Sequence, residues 1–292
     1  MVLGDITPFL INGFLIGIIY GLMSVGLSLI FGVSGIVNMA HGEFFMLGAY
    51  ISYFLITIFG LNPLLSCLMA GLIMFFVSIV IYMTAVFPLR KYVNWTDNVM
   101  VSTVGLTVLL INLALLLWGP WYRGMFSYFT GSISIGDITV SVERIIMAVF
   151  GVVILICFWF FVHHTSFGKA LRAVSDDEYL ALLAGVNAEK MYLISFAIGG
   201  AITAISGGLL TPLFFIYPTV GQRVIVKSFA ITIIGGMGSL GGPIYAGIII
   251  GLVEGLTTFF WEARWADAIT FIALIIVLLI KPAGLFGKKG RV

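Results

Sequence analysis

The sequence predicts an all-α polytopic membrane protein with about 8–10 transmembrane helices, some of them broken at glycines. Of its 292 residues, 61% are hydrophobic and only 9% are charged, whereas a soluble domain usually carries about 25% charged residues. Several uninterrupted apolar runs reach about 20 residues, the length that crosses about 30 Å of hydrocarbon. Their continuity favours helices over the alternating strands of a membrane barrel.

Nine apolar segments follow one another along the chain, and each is predicted to form a helix. Glycine-rich stretches lie between the first and second segments and between the seventh and eighth. Broken helices at depth are how transporters build substrate sites, so these two breaks indicate an internal pseudo-repeat with a pathway between its halves. The segments are approximately 9–31, 42–60, 64–87, 98–119, 143–163, 191–217, 224–240, 244–260 and 266–280.

The distribution of Lys and Arg predicts the orientation of the segments. With alternating spans and an outside N-terminus, nine of the 14 basic residues fall on the cytoplasmic side, as the positive-inside rule favours. The C-terminus is then cytoplasmic, and the protein lies in the inner or plasma membrane. The cytoplasmic set is Arg90, Lys91, Lys169, Arg172, Lys190, Lys281, Lys288, Lys289 and Arg291, and the outside set is Arg123, Arg144, Arg223, Lys227 and Arg264.

Residues 131–142, "GSISIGDITVSV", alternate polar and apolar side chains on both sides of Gly136-Asp137. This alternation around a two-residue turn predicts a β-hairpin, which the orientation places outside. A lone hairpin is marginally stable in water, so it needs a surface on its own membrane domain or on a docked partner. Apart from this hairpin and one cytoplasmic loop, residues 1–292 are predicted to form a single transmembrane domain.

Polar residues interrupt the apolar chain between the first two segments, in "IVNMAHGEFF". Ionisable groups inside a membrane usually face the bundle interior or a water-filled cavity. Asn38, His41 and Glu43, with Gly235 and Gly236 at the second break, are therefore candidates for the substrate pathway. Three alternatives stay open: Asn38 as a helix cap, His41 and Glu43 as locally paired, solvated groups at the cytoplasmic mouth, or a proton relay.

The longest polar interval predicted on the cytoplasmic side covers about residues 165–190. Ser175 and Glu178 have the spacing of a capping box, Gly185 is placed to end the helix, and Asn187 to cap the next one. The helix of about two turns between them is too short to be stable alone. Its apolar stripe therefore needs a partner, either a cytoplasmic protein or its own membrane domain. The stripe is Tyr179, Leu182, Leu183 and Val186.

The sequence carries no recognisable catalytic or metal-binding motif. It has no G-x-x-x-x-G-K-[ST] phosphate loop, no H-E-x-x-H and no Cys/His metal set, so we expect no catalytic residue, metal or cofactor in this chain. The stretch "GGMGSLGG" lacks the Lys-Ser/Thr and the βαβ frame of a nucleotide loop. A net charge of +2 gives no indication of nucleic-acid binding.

Four stretches of the chain resemble the membrane permease subunits of branched-chain amino acid ABC transporters. They occur in the family's order over nearly the whole chain. The most specific is the run N-M-A-H-G-E, because hydropathy does not account for its polar residues. It resembles the half of the permease pair in which an Asn-x-Ala-His-Gly segment precedes the second span. The stretches are Tyr20–Tyr50, Gly168–Asn187, Gly235–Gly247 and Lys281–Gly287.

The resemblance implies an ABC importer permease fold and a heteromeric importer for branched-chain or other hydrophobic amino acids. A homologous second permease would complete the pathway, and two cytoplasmic ATPases, which bind ATP and Mg²⁺, would drive it. An extracytoplasmic binding protein would deliver the substrate. This chain would be a non-catalytic subunit surrounded by membrane lipid.

In this family resemblance, the stretch Gly168–Asn187 would be the coupling element seated on an ATPase. Asp176-Asp177-Glu178 replaces the Glu-Ala-Ala that names this loop in ABC importers generally. The residues expected to take part in coupling are Arg172, Asp176, Asp177, Glu178, Tyr179, Leu182, Leu183, Gly185 and Val186.

The residues alone are also compatible with other functions. A self-contained channel or secondary transporter would need ion-coupling carboxylates inside the bundle, for which Glu43 and Glu254 are the candidates. An intramembrane enzyme could use His41 and Glu43 as acid and base, although no nucleophile or metal set accompanies them. Permeases for urea and short amides are very similar to the family above, so the substrate is open as well.

Overall fold

The computed structural model describes residues 6–125, 128–135 and 138–287 of the chain. Within these ranges it contains eleven α-helices and one two-stranded antiparallel sheet. The helices are α1 (Thr7–Ser34), α2 (His41–Thr57), α3 (Pro63–Ile81), α4 (Trp95–Trp118), α5 (Val142–His164), α6 (Ser166–Asp176), α7 (Glu178–Leu183), α8 (Ala188–Leu210), α9 (Val220–Gly235), α10 (Gly242–Phe260) and α11 (Ala266–Ile280), and the strands are β1 (Ser132–Ile135) and β2 (Ile138–Ser141).

The predicted class is confirmed, because each of the nine apolar segments forms a helix in the described chain. Seven of these helices are long and apolar enough to cross a membrane. One of the seven is α11, whose 15 residues are extended by the preceding 3₁₀ turn to the 18-residue span Ala263–Ile280, whereas α2, with 17 residues, and α9, with 16, are not among them. Both adjoin the glycine-rich breaks that the sequence indicated. The protein is therefore a multi-pass membrane protein in which the two apolar helices beside the glycine-rich breaks fall short of a full span.

The first helix lies at the centre of the bundle, and every residue from 17 to 30 is buried. It packs against α10 along two facing rows of glycine. A Cβ on Gly13 would lie 2.4 Å from the carbonyl oxygen of Gly251, and one on Gly17 would lie 2.9 Å from that of Gly247. Such distances leave no room for a side chain, so the glycines allow the two backbones to touch.

The second helix begins inside the bundle rather than at its surface. His41, its first residue, places Nε2 3.0 Å from the carbonyl oxygen of Met23, which lies near the middle of α1. The chain therefore returns along α1 for half a helix length before α2 starts. This position explains why α2 is short, and it places the polar residues of the first break away from either end of the bundle.

The third helix does not end regularly. A single π-helical turn follows it over Tyr82–Val86, and a 3₁₀ turn covers Phe87–Lys91. Single π turns within helices occur frequently at functional sites. Here the irregular turns bring Arg90 to the end of the bundle that carries α6 and α7. We call this end the α7 end.

The opposite end carries the β-hairpin, and we call it the hairpin end. The strands pair antiparallel with Ile133 opposite Val140, as the alternating pattern predicted, and the turn residues Gly136 and Asp137 lie outside the described residues. Val140 is buried, and β2 packs against α1 and α5. The hairpin thus contacts the membrane domain of its own chain, one of the two surfaces that the sequence left open for it.

The second glycine-rich break is closed by the C-terminal stretch Lys281–Gly287. Leu285 donates its backbone N–H to the carbonyl of Ile234 over 2.7 Å, and Phe286 donates to that of Gly235 over 3.2 Å. A C-terminal segment thus caps α9. Gly236 has a φ of 101°, and a Cβ there would lie 2.4 Å from the backbone nitrogen of Gly287. A side chain at Gly236 would therefore displace the cap.

Candidate functional site

A cavity of about 400 Å³ lies between α1, α2, α8 and α9. It begins near the middle of α1 and extends to the chain segments that follow α4 and α8, so it reaches the hairpin end. Arg123 and Ile216 exchange backbone hydrogen bonds of 2.8 Å and join these segments beside its rim. The lining residues are Tyr20, Met23, Phe45, Ala49, Tyr122, Gly207, Leu210, Thr211, Phe214, Phe215, Ile216, Tyr217, Val220, Arg223, Val224 and Lys227.

Two cations, Arg223 and Lys227, line this cavity, and the carboxylates that pair with them, Glu254 and Asp267, are not among its lining residues. Lys227 Nζ lies 2.7 Å from Glu254 Oε1 and 3.0 Å from Asp267 Oδ1, and it also contacts the hydroxyl of Tyr20 at 3.1 Å. Arg223 donates from Nε and Nη2 to Asp267 Oδ2, at 2.9 and 2.6 Å. Two cations and two carboxylates compensate one another, which is how buried charges are usually retained in membrane proteins.

Glu254 was one of the two carboxylates suggested for ion coupling. Its Oε2 accepts a hydrogen bond from the Tyr20 hydroxyl at 3.0 Å, and its Oε1 accepts one from Thr270 at 3.0 Å as well as contacting Lys227. A carboxylate with this many partners is held in place by α1, α9 and α11. The geometry is that of a structural ion cluster beside a cavity.

The predicted pathway residues of the first break are brought together, but they do not line the cavity. His41 Nε2 lies 3.0 Å from Thr203 Oγ1, and Asn38 Oδ1 accepts a hydrogen bond from the backbone N–H of Ala40 at 3.0 Å. Asn38 thus forms a turn immediately before α2, close to the capping role suggested for it, although Ala40 is the N-cap residue. Together these bonds join α1, α2 and α8.

Glu43 is almost completely buried, with 1% of its surface exposed, and His41 has none. The alternative that placed both side chains in solvent at the cytoplasmic mouth is therefore wrong, because α2 begins inside the bundle. The Glu43 carboxylate packs directly on Gly221 at the beginning of α9. Among the described residues, its Oε2 has no hydrogen-bond partner.

The glycines of the second break have a packing role in the described structure. A Cβ on Gly235 would lie 2.6 Å from the backbone of Gly242 and Pro243, and Gly236 packs against the C-terminal segment. Neither lines the cavity described above. Their contacts hold α9, α10 and the C-terminal stretch together.

The polar interval at the α7 end forms two short helices. Thr165 caps α6, with Oγ1 accepting from the N–H of Gly168 at 3.0 Å. Asp177 caps α7 by accepting from Leu180 N at 2.9 Å, so the predicted capping box at Ser175 is wrong, because Ser175 still lies inside α6. Asn187 caps α8 as predicted, accepting from Lys190 N at 3.0 Å.

Of the two residues predicted to follow or extend α7, Gly185 behaves as expected and Val186 does not. Gly185 has a φ of 83° just after the helix, as expected of a residue that ends it. Val186 lies beyond the helix and is half-buried. The predicted stripe is therefore shorter than expected.

Helix α7 presents a cluster of apolar side chains to the exterior. Tyr179 is 70% exposed, Leu182 51% and Leu183 69%, and Leu180 adds a further exposed side chain at 61%. Ala181 is the residue of α7 that faces the bundle. Tyr179, Leu182 and Leu183 therefore do not pack on their own membrane domain, whereas Val186, the fourth residue of the predicted stripe, does. The exposed cluster lies on the α7 end, next to the charged residues Asp176, Asp177 and Glu178.

Arg90 connects α7 to the rest of the bundle. Its guanidinium forms an ion pair with Glu189 and lies 3.8 Å from Glu178. The same group lies 4.4 Å from the ring centre of Tyr192 and 5.0 Å from that of Trp95. Arg90 therefore joins the irregular end of α3 to α4, α7 and α8. Arg172, another predicted coupling residue, lines a groove of about 500 Å³ at the same end.

Three residues of these sites were not identified from the sequence. Arg223 and Lys227 were counted as outside charges, but they lie within α9, and Arg90 was counted only for its charge. A signal for the first two was available: Arg223 directly precedes the seventh apolar segment, Lys227 stands within it, and Glu254 stands in the eighth. Intramembrane charges require partners, so a cation and a carboxylate in separate spans indicate a pair.

The fold is that of a polytopic helical membrane protein with a cavity between its helices. A family model described as "Branched-chain amino acid transport system / permease component" matches residues 9–278. The chain therefore belongs to this family, and the resemblance seen in the sequence is confirmed. A permease component is by definition one part of a larger transport system.

Curated relatives extend over almost the whole chain. It is 27% identical to the high-affinity branched-chain amino acid transport system permease protein LivH of Escherichia coli, covering 95% of this chain and 94% of that protein. Identity is also 27% to BraD of Pseudomonas aeruginosa, with 96% and 95% covered, and to a probable LivH of Methanocaldococcus jannaschii, with 91% and 88% covered. No solved structure matches the chain.

Proposed function

We propose that this chain is the transmembrane subunit of an ATP-driven importer for branched-chain or other hydrophobic amino acids. The observation that carries the proposal is the family match over residues 9–278, together with relatives that are named as branched-chain amino acid permeases. The cavity supports it, because most of its lining is apolar and two cations, Arg223 and Lys227, also line it. An apolar side chain with a zwitterionic head suits such a surface.

In this proposal the chain forms the translocation pathway with a second, homologous permease and performs no catalysis itself. Hydrolysis of ATP, with Mg²⁺, takes place on two cytoplasmic ATPase subunits. A binding protein delivers the amino acid at the hairpin end, where the cavity opens. The N-terminus is outside and the C-terminus is cytoplasmic. A cysteine introduced at Asp137 should accordingly react with an impermeant thiol reagent added outside, and reaction from the cytoplasm alone would reverse the orientation.

The exposed apolar cluster of α7 is the proposed seat of an ATPase. Four large apolar side chains on six residues are unfavourable in water, and each contributes roughly 1.5–3 kcal/mol when buried. A groove on a cytoplasmic ATPase would cover them. Glu178 and Asp177 beside the cluster would then meet basic groups on the rim of that groove.

Leu183→Asp tests this role, because it would bury an unpartnered charge in the contact. We expect it to reduce co-purification of the ATPase by at least about tenfold, which corresponds to about 1.4 kcal/mol, and to abolish uptake. Leu183→Met is the matched control and should be nearly silent, since it conserves volume and polarity. An Asp variant that keeps its ATPase and transports normally would exclude α7 as the docking helix.

The substrate is tested with the complex purified together with its co-encoded subunits. Hydrolysis of ATP should rise when the binding protein is loaded with leucine, isoleucine or valine. A rise with urea or a short amide instead would assign the chain to the similar permeases that carry those solutes. Uptake that needs an ion gradient and no ATP would favour a self-contained transporter.

A further inference from the structure

Arg223 has hydrogen-bonding capacity that its protein partners do not use. Its Nε and Nη2 both donate to the same oxygen, Oδ2 of Asp267, and within the described chain no partner is seen for Nη1. The Arg223 side chain is 64% exposed, although it stands on a helix inside the bundle. It lines the cavity. Guanidinium groups bind carboxylates through paired N–H donors, which adds both strength and geometry.

Lys227 differs from Arg223 in this respect. Its ammonium group has three protons, and three oxygens surround it: Glu254 Oε1, Asp267 Oδ1 and the Tyr20 hydroxyl, at 2.7, 3.0 and 3.1 Å. The side chain is only 12% exposed. The charge of Lys227 is therefore compensated by the protein, and its ion pair with Asp267 holds that carboxylate beside Arg223. The cation available to a ligand is Arg223.

The rest of the cavity is suited to an amino acid. Phe45, Leu210, Phe214, Val220 and Val224 provide an apolar wall. At the rim, the rings of Tyr122 and Tyr217 lie 4.8 Å apart and those of Tyr122 and Phe215 lie 6.4 Å apart. An ammonium group is attracted to such aromatic faces.

We propose that Arg223 binds the α-carboxylate of an amino acid in the cavity, with its apolar side chain against Phe45 and Leu210 and its ammonium group at the aromatic rim. This inference rests on the proposed function, and it assigns substrate recognition to a residue of the membrane subunit. The cluster of two cations and two carboxylates has no net charge, and within the described chain Arg223 Nη1 remains free to donate to a ligand. Such a site suits a zwitterion, which also has no net charge. It also holds the ligand loosely, because Asp267 competes for the same group.

The first test uses the complex with its co-purifying subunits, reconstituted in liposomes. Arg223→Gln should lower leucine uptake per ATP hydrolysed by about tenfold, the cost of one charge-assisted hydrogen bond, and Arg223→Lys should recover part of it. Arg264→Gln is the matched control: Arg264 is 71% exposed in the turn between α10 and α11 and pairs with Glu262 at 2.9 Å, but it does not line the cavity. Wild-type coupling in Arg223→Gln would overturn the proposal.

A second measurement does not depend on how Arg223 variants fold. Val224→Cys, in a background with Cys67→Ala and Cys157→Ala, places a thiol in the cavity of a complex that keeps Arg223. Leucine should slow its labelling by a maleimide at least about threefold, and leucinol, which lacks the carboxylate, should not. Equal protection by both, or by neither, in a complex that takes up leucine would overturn the site alone. A complex that takes up no amino acid would overturn the proposed function as well.

Discussion

Two clusters of charged residues differ in what surrounds them. The cluster of Lys227, Glu254 and Asp267 lies between transmembrane helices beside the cavity, and Lys227 and Glu254 are each 12% exposed. The cluster of Arg90 and Glu178 lies at the α7 end, where these side chains are 21% and 46% exposed. The first has two carboxylates on one ammonium, whereas the second adds aromatic rings to a guanidinium.

The difference in solvent exposure determines how much each cluster contributes to the stability of the bundle. In a low-dielectric environment, removing one partner leaves an uncompensated charge and costs several kcal/mol, so the Lys227 cluster holds α1, α9, α10 and α11 together. Near water, ion pairs contribute little, so the Arg90 cluster cannot hold the bundle together. It connects α7 to α3 and α8 with a modest energy.

Removing the buried cation should have the largest effect. Lys227→Met keeps the length of the side chain but leaves Glu254 and Asp267 without their shared ammonium. We expect a loss of about 3 kcal/mol in the free energy of unfolding, at the lower end for a broken buried pair because Asp267 is one-third exposed. The measurement is the thermal unfolding of the purified protein in detergent.

The control for this change restores the charge balance. The double variant Lys227→Met, Glu254→Gln removes one charge of each sign and should recover most of the lost stability. If the single and double variants unfold alike, the two groups are not coupled, and the cluster has no role in holding the helices.

Removing the guanidinium at the α7 end should have a smaller and more local effect. Arg90→Gln loses the contacts with Glu178 and Glu189 and the aromatic stacking, together about 1–2 kcal/mol at a partly exposed site. Amide hydrogen exchange over residues 178–186 should become faster while the unfolding temperature changes little. Lys91→Gln, at the exposed neighbouring position, should leave exchange unchanged. Equal protection in Arg90→Gln and wild type would remove Arg90 from the connection to α7.

The smallest effect is expected at Glu43, the carboxylate that lacks a cation in the described structure. Glu43→Gln keeps the shape and the hydrogen-bonding groups but removes any need to bury a charge. Its stability should stay within about 0.5 kcal/mol of wild type or rise, and the complex should assemble with uptake only partly reduced. A marked fall in stability would mean that Glu43 carries a charge with a partner, as the buried cluster does.

Much of the fold followed from the sequence because hydropathy acts locally. Each of the nine apolar segments became a helix, and the alternation in residues 131–142 gave the two strands. The caps at Asn187 and Gly185 were also predicted, since capping depends on neighbouring residues. The capping box predicted at Ser175 was wrong because Asp177, two residues later, offers a competing side-chain acceptor and caps α7 instead.

The sites depended on contacts that no local pattern contains. Lys227 and Glu254 come from different helices, and their pairing follows only from how α9 and α10 pack. Likewise, the burial of His41 follows from α2 beginning beside the middle of α1. Hydropathy could not give this, because it assigns a polar run between two apolar segments to the surface.

The glycine rows that join α1 to α10 also constrain how the protein is made. Roughly 200 residues separate the two helices in the chain, and at about 5–20 residues per second their synthesis takes roughly 10–40 s. During that interval α1 is in the bilayer while its partner has not yet been translated. Its glycine face then has only lipid or the insertion machinery as a neighbour. The central contact of the mature protein is therefore one of the last to form, and slowing translation between the two helices would lengthen the period in which α1 is open to proteolysis.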